Sequence, residues 1–224
     1  MIKFYTEIEL FGIVVRDPVT ALTNLLIFLT AVWCFRRLRP IAAEQGINSW
    51  RWFFLFMGTA SFIAIFVHGF SFYMAARMHF GLWVIMCLSQ GLGATFAQLA
   101  VIRQTFSHSH RGSWSLLSVA QYFLFGVLLL VFSSYEVVKI HIAACLLPIM
   151  IWYAIQYFSG NPAGGMIALG ILVASFTALV HTFKMSFGLW FNHNDISHLL
   201  ICIGLALMSS GALRSGEIGE TAKA

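Results

Sequence analysis

Seven apolar runs, each about as long as a helix that crosses a bilayer, constrain this chain more than any other feature. They cover 18–36, 51–76, 80–102, 114–133, 136–158, 162–183 and 195–213. The breaks between them hold turn and charge signals such as RRLRPIAAEQGINS, SHSHRGS and SGNPAGG. Composition removes the soluble alternative: 60% of residues are apolar, 9% are charged, and mean hydropathy is +0.86. A soluble domain carries about 25% charged residues to cover its surface. The expected fold is therefore all-α, a bundle of seven transmembrane helices. Residues 1–17 form an N-terminal interfacial segment, 18–213 the membrane domain and 214–224 a cytosolic tail. Such a chain is a multi-pass integral membrane protein, of the cytoplasmic membrane in a bacterium or of the endoplasmic reticulum or Golgi in a eukaryote.

Orientation follows from which side the cations occupy. Arg36, Arg37, Arg39, Arg51, Arg103, Arg111, Arg214 and Lys223 fall on one side, and Lys3, Arg16, Arg77, Lys139 and Lys184 on the other. Eight against five predicts an external N-terminus and a cytosolic C-terminus. The net charge of +5 thus reads as topology, with no nucleic-acid partner, because no basic cluster with interleaved aromatics accompanies it. Cys34, Cys87, Cys145 and Cys202 each lie inside an apolar run without a Cys-x-x-Cys pair, which predicts buried free thiols. Trp50, Trp52, Tyr135 and Trp190 near span ends read as interface anchors. Gly91, Gly93, Gly164 and Gly165 read as close helix contacts, not phosphate binding.

The same orientation gathers polar residues on the outer half. Glu7, Glu9, Asp17, Glu136 and Asp195 fall there, with His68, His79, His141, His181, His193 and His198. His68 lies about eight residues inside the expected second span, or ~12 Å below its outer end, where an imidazole needs a partner. His198 opens the seventh span, and Asn194 is four residues earlier on the same helical face. A single interior histidine is explained by a hydrogen bond. Two on facing helices at a similar depth point to a zinc or other transition-metal site. In the first span Asp17, Thr20 and Asn24 form a polar stripe; Asp17 before Pro18 also suits a helix start, whereas Asn24 needs a partner in the bundle. His108 and His110 read as solvated residues of a cytosolic loop.

These fragments resemble the alkaline ceramidases and their relatives, the adiponectin-receptor-like proteins. The likeness rests on an acid, threonine and asparagine at the start of span one (Asp17, Thr20, Asn24), a histidine in span two (His68) and a histidine in span seven (His198). It implies seven helices around an intramembrane zinc held by three histidines, whose activated water attacks a lipid amide. The external N-terminus matches the ceramidase branch, since the adiponectin-receptor branch is inverted. His68 and His198 stand at two of the ligand positions, but Asn194 occupies the third, and Ala64 stands where the family has a serine. The family's aspartate falls near His79. His193, Asp195, His79 and His181 are the candidates to complete a rearranged zinc site, with Asp195 and His79 as proton-handling groups. The likeness also implies calcium on N-terminal acids, here Glu7, Glu9 and Asp17, whose oxygens suit that ion.

Three readings follow. The leading one is a metal-dependent intramembrane hydrolase of a lipid amide or ester. The second is a catalytically degenerate relative that binds a membrane lipid as a receptor or accessory protein. The third is a b-type haem protein with His68 and His198 as axial ligands; no lysine lies in span seven, which argues against a retinal protein.

Overall fold

A computed structural model describes the backbone of residues 6–221 and side chains through residue 216; Lys3 and Lys223 of the charge count lie outside the described residues. Seven helices follow one another: α1 (Pro18–Arg37), α2 (Ile47–Gly69), α3 (Ala76–Thr105), α4 (His108–Phe132), α5 (Tyr135–Phe158), α6 (Pro162–Thr182) and α7 (His193–Thr221). All seven are long and apolar enough to cross a membrane, so this is a multi-pass integral membrane protein. Local chemistry sets several of the boundaries. Pro18 and Pro162 occupy first turns, where a missing N–H costs nothing, and the side chains of Ser134 and Asn161 accept first-turn amides of α5 and α6. Arg36 and Arg37 close α1, where cations favour the negative end of the helix.

The helices pack as a ring in the order α1, α2, α3, α5, α6, α7 and back to α1, with α2 also touching α7 and with α4 outside against α3 and α5. The core fills the end of this ring near the α1–α2 loop, around Trp50, Phe53, Phe54, Ile167, Ile171 and Leu205. In lipid, helices gain little from hydrophobicity alone, so close backbone approach and dispersion hold them together. The tightest case joins α6 to α7. A Cβ on Gly170 would stand 2.7 Å from the Gly204 carbonyl oxygen, and one on Gly211 2.9 Å from that of Ala163. The four glycines singled out from the sequence do pack closely, Gly91 against the Phe125 ring, Gly93 and Gly164 against the Phe53 and Tyr153 carbonyls, and Gly165 against the Tyr157 ring.

Several boundaries differ from the sequence reading. Helix α2 begins at Ile47 because Gly46, at φ +81°, turns the chain tightly against Ala100 of α3. It also ends at Gly69, where the chain tightens into a 3₁₀ turn over Ser71–Tyr73. His68 therefore sits in the last turn of α2, not two turns below its end. Helix α4 starts at His108, so His108 and His110 belong to a first turn and not to a loop. Helix α7 runs on to Thr221, through most of the expected tail. Trp50 is not an interface anchor; it is fully buried in the core, while Trp52, Tyr135 and Trp190 remain exposed. The cysteines are free thiols, three buried and Cys202 half-buried.

The N-terminal segment also holds a hairpin that the sequence reading did not contain. Strands β1 (Glu7–Leu10) and β2 (Ile13–Arg16) pair antiparallel around Phe11 and Gly12, both at positive φ, the geometry of a tight two-residue turn. Its tip, Leu10 to Ile13, is apolar and exposed, as suits a segment at the membrane–water boundary. The Val14 N–H donates to the Tyr73 hydroxyl (2.8 Å), and Arg16 lies over the Phe72 ring, so the hairpin rests on the turn that closes α2.

Candidate functional site

One cavity of about 780 Å³ opens at the end of the bundle beneath the hairpin. Six helices and the α2–α3 connection line it. Near its mouth stand Asp17, His68, His79, His181 and Asn194, and toward the middle of the bundle Ile27, Met57, Met86 and Ile201. Its wall thus grades from imidazoles, a carboxylate and amides to thioethers and aliphatic side chains, a gradient suited to an amphiphile.

His68 from α2 and His198 from α7 share this cavity, with Asn194 one turn before His198. His198 is held from behind. Its Nδ1 lies 2.7 Å from the Thr23 hydroxyl of α1, which is also 3.3 Å from Asp195 Oδ1. The Thr20 hydroxyl donates to the same Asp195 oxygen at 2.8 Å, and the Asn192 amide to Oδ2 at 2.8 Å. Asp195 is completely buried and does not line the cavity. The last of these bonds is half of a reciprocal helix cap. Asn192 precedes α7, its side chain accepts from the Asn194 amide, and Asp195 reaches back to the Asn192 amide. The N-x-x-D spacing of residues 192–195 was a readable signal for this cap. Thr23 carried no comparable mark, since a threonine three residues after Thr20 is unremarkable until α7 packs against it.

The other expected site residues are distributed unevenly. The His79 Nε2 donates to the Val67 carbonyl at 3.2 Å, which leaves Nδ1 of the neutral ring as an acceptor on the α3 wall. His193 is set edge-on against His181, ring centroids 5.1 Å apart, and only His181 of the two lines the cavity. Of the polar stripe on α1, Asp17 and Asn24 line the cavity while Thr20 turns to Asp195. The Asn24 amide donates to its own helix at the Thr20 carbonyl, not across the bundle. His141 lies apart, buried, stacked 4.3 Å from Phe125 and bonded to the Gly91 carbonyl, as a packing histidine would be. Glu7 pairs with Arg16 at 2.8 Å across the hairpin and Glu9 is exposed, while Asp17 accepts from Thr6. Among the described residues, no group of three or more His, Cys, Asp or Glu side chains converges as a metal cluster, which holds for the zinc and calcium candidates alike.

A family model matches residues 19–217, from the first turn of α1 into the last turns of α7. The chain belongs to the DUF6962 family, a family of unknown function. No curated protein and no solved structure matches it. The DUF6962 region includes His68, His79, Asn194, Asp195 and His198, whereas the hairpin and Asp17 precede it.

Proposed function

We propose that this protein is a metal-dependent intramembrane hydrolase of a lipid amide or ester, similar to the alkaline ceramidases. One observation carries the reading: His68 and His198 reach one amphiphilic cavity from different helices, and His198 is anchored by a hydroxyl that itself touches a buried carboxylate. Threonine has one proton to give. Directed to Asp195 or to the Thr20 carbonyl at 3.1 Å, it makes His198 Nδ1 the donor to Thr23 and leaves the Nε2 lone pair as the ring's remaining ligand atom. Carboxylate-backed histidines of this kind are what metal sites use to orient a ligand. Two imidazoles, from His68 and His198, suit zinc, and the third position holds only the weaker Asn194 amide oxygen. When bound, zinc would lower the pKa of its water to about 7 and polarise the substrate carbonyl. His79, whose Nε2 donates to the Val67 carbonyl, would accept a proton at Nδ1, and Asp195, buried away from the cavity, would position His198 instead of meeting substrate. The apolar floor of the cavity takes the lipid chain.

Elemental analysis and hydrolysis of lipid amides and esters by the purified protein test the reading together. A metal-free preparation that turns over neither class, while lipid still co-purifies, would reject it and leave the lipid-binding receptor. The absence of a third strong ligand among the described residues favours that second reading, and Asn194→His separates the two. If the set is merely incomplete, zinc occupancy rises in Asn194→His; unchanged occupancy near zero sinks the hydrolase. A Soret band in the visible spectrum would instead assign the two histidines to haem.

The reading also places the cavity mouth, the hairpin and the N-terminus outside. A reporter fused after Ala224 is then cytosolic and one before Met1 external. The opposite result inverts the bundle and moves the proposed chemistry to the cytosolic leaflet.

A further inference from the structure

A second cavity, of about 560 Å³, lies at the opposite end of the bundle, between the α1–α2 loop and the α3–α4 turn. Arg103 from the end of α3, with Arg111 and His108 from the first turn of α4, line it beside Gly112 and Ser115. Each guanidinium spends a single observed hydrogen bond on the protein: Arg103 Nη1 donates to Ser49 (2.9 Å) and Arg111 Nε to the Phe106 carbonyl (2.7 Å). An arginine has five N–H donors, so most of each fork is left for a ligand. Neither arginine forms an ion pair with a described acid, and Glu44, which also lines the cavity, has interactions of its own. The α3–α4 turn carries a stacked Phe106–Trp114 pair, ring centroids 5.0 Å apart, with Trp114 exposed. Exposed tryptophan near a span end suits the level of the lipid headgroups, and Arg103 and Arg111 line one open cavity at that same end of the bundle.

We infer that this cavity is a phosphate-binding site, formed by Arg103, Arg111 and His108, for the phosphomonoester head of a membrane lipid or for the free anion. It stands independently of the hydrolase reading, since no residue is shared between the two cavities. Retention of phosphatidic acid over phosphatidylcholine by the full chain in nanodiscs, followed by native mass spectrometry, tests it. Wild type prefers phosphatidic acid, and Arg103→Gln with Arg111→Gln lowers that retention about a hundredfold, as expected for the loss of two charge-assisted contacts to phosphate. Arg36→Gln with Arg39→Gln removes the same charge from the same side outside the cavity and leaves retention within about twofold. Gly112→Asp guards against a folding artefact. A Cβ there meets nothing within 4 Å, and aspartate is a better helix former than glycine, so lost retention in a folded protein reports repulsion in the site. Displacement of the lipid by inorganic phosphate shows that the site takes the free anion, and retention in phosphate assigns it to the headgroup. Equal losses in the two charge-matched pairs, or a wild type with no preference and no phosphate binding, overturn the inference.

Discussion

Zinc bound to the purified protein is expected to fall at least about tenfold from its wild-type level in His68→Ala and in His198→Ala. Each change removes one of the two imidazoles proposed as zinc ligands among the four that line the cavity, and the Asn194 amide cannot compensate. The sharper test lies behind the ligand. Thr23→Val keeps the shape of the side chain but cuts the contact to His198 Nδ1 at 2.7 Å and to Asp195 at 3.3 Å. Loss of such outer-shell support costs about 10–100-fold in metal affinity. Asp195→Ala combines this effect with loss of the α7 cap, so it also destabilises the fold. Thr23→Val leaves the Asn192 cap and the Thr20–Asp195 bond in place and otherwise loses only the Thr23 bond to the Thr20 carbonyl within α1. Competition with a chelator measures both. Full occupancy in the two alanine variants would refute the metal site, and unchanged affinity in Thr23→Val would show that the Thr23–Asp195 pair serves only the packing of α1 on α7.

The largest effect on stability is expected at Gly170. Leucine there must push Cβ into the Gly204 carbonyl at 2.7 Å and the Met208 backbone nitrogen at 2.9 Å. Neither backbone group can move without separating α6 from α7 and shifting the helix that carries Asn194 and His198. Overpacking of this kind costs about 3 kcal/mol or more, enough to lower the midpoint of unfolding in mixed micelles markedly. Gly81→Leu is the control, because a side chain at Gly81 points into open space and should leave the midpoint unchanged. Equal stability of the two variants would mean that the α6–α7 contact does not hold the bundle together.

Seven spans, their order and the membrane class were legible because each rests on local composition. A run of about 20 apolar residues is helical in lipid whatever surrounds it, since its backbone groups have no other partners. Pairing His68 with His198 was also within reach, because the alternation of spans brings the end of α2 and the start of α7 to one side of the membrane. The boundaries were less secure. Residues 70–76 are as apolar as the helix before them, and composition did not reveal that the chain tightens at Phe70 and receives a hairpin on top. The depth first assigned to His68 failed for that reason.

What the sequence determined by itself is the solvent of this protein, the number of its helices and the cast of polar residues at one end, all set by residues adjacent in the chain. Tertiary structure alone decided how that cast is divided. It sent Asp195 into the α1–α7 seam, turned His193 to His181, buried His141 under Phe125 and left His68, His79 and His198 facing one cavity. These choices depend on which helix faces which and at what rotation. That rotation is fixed by contacts such as Gly170 on Gly204 and Thr23 on His198, whose partners stand far apart in sequence. A run of hydropathy records that a helix forms; the direction in which each imidazole points is a property of the packed bundle.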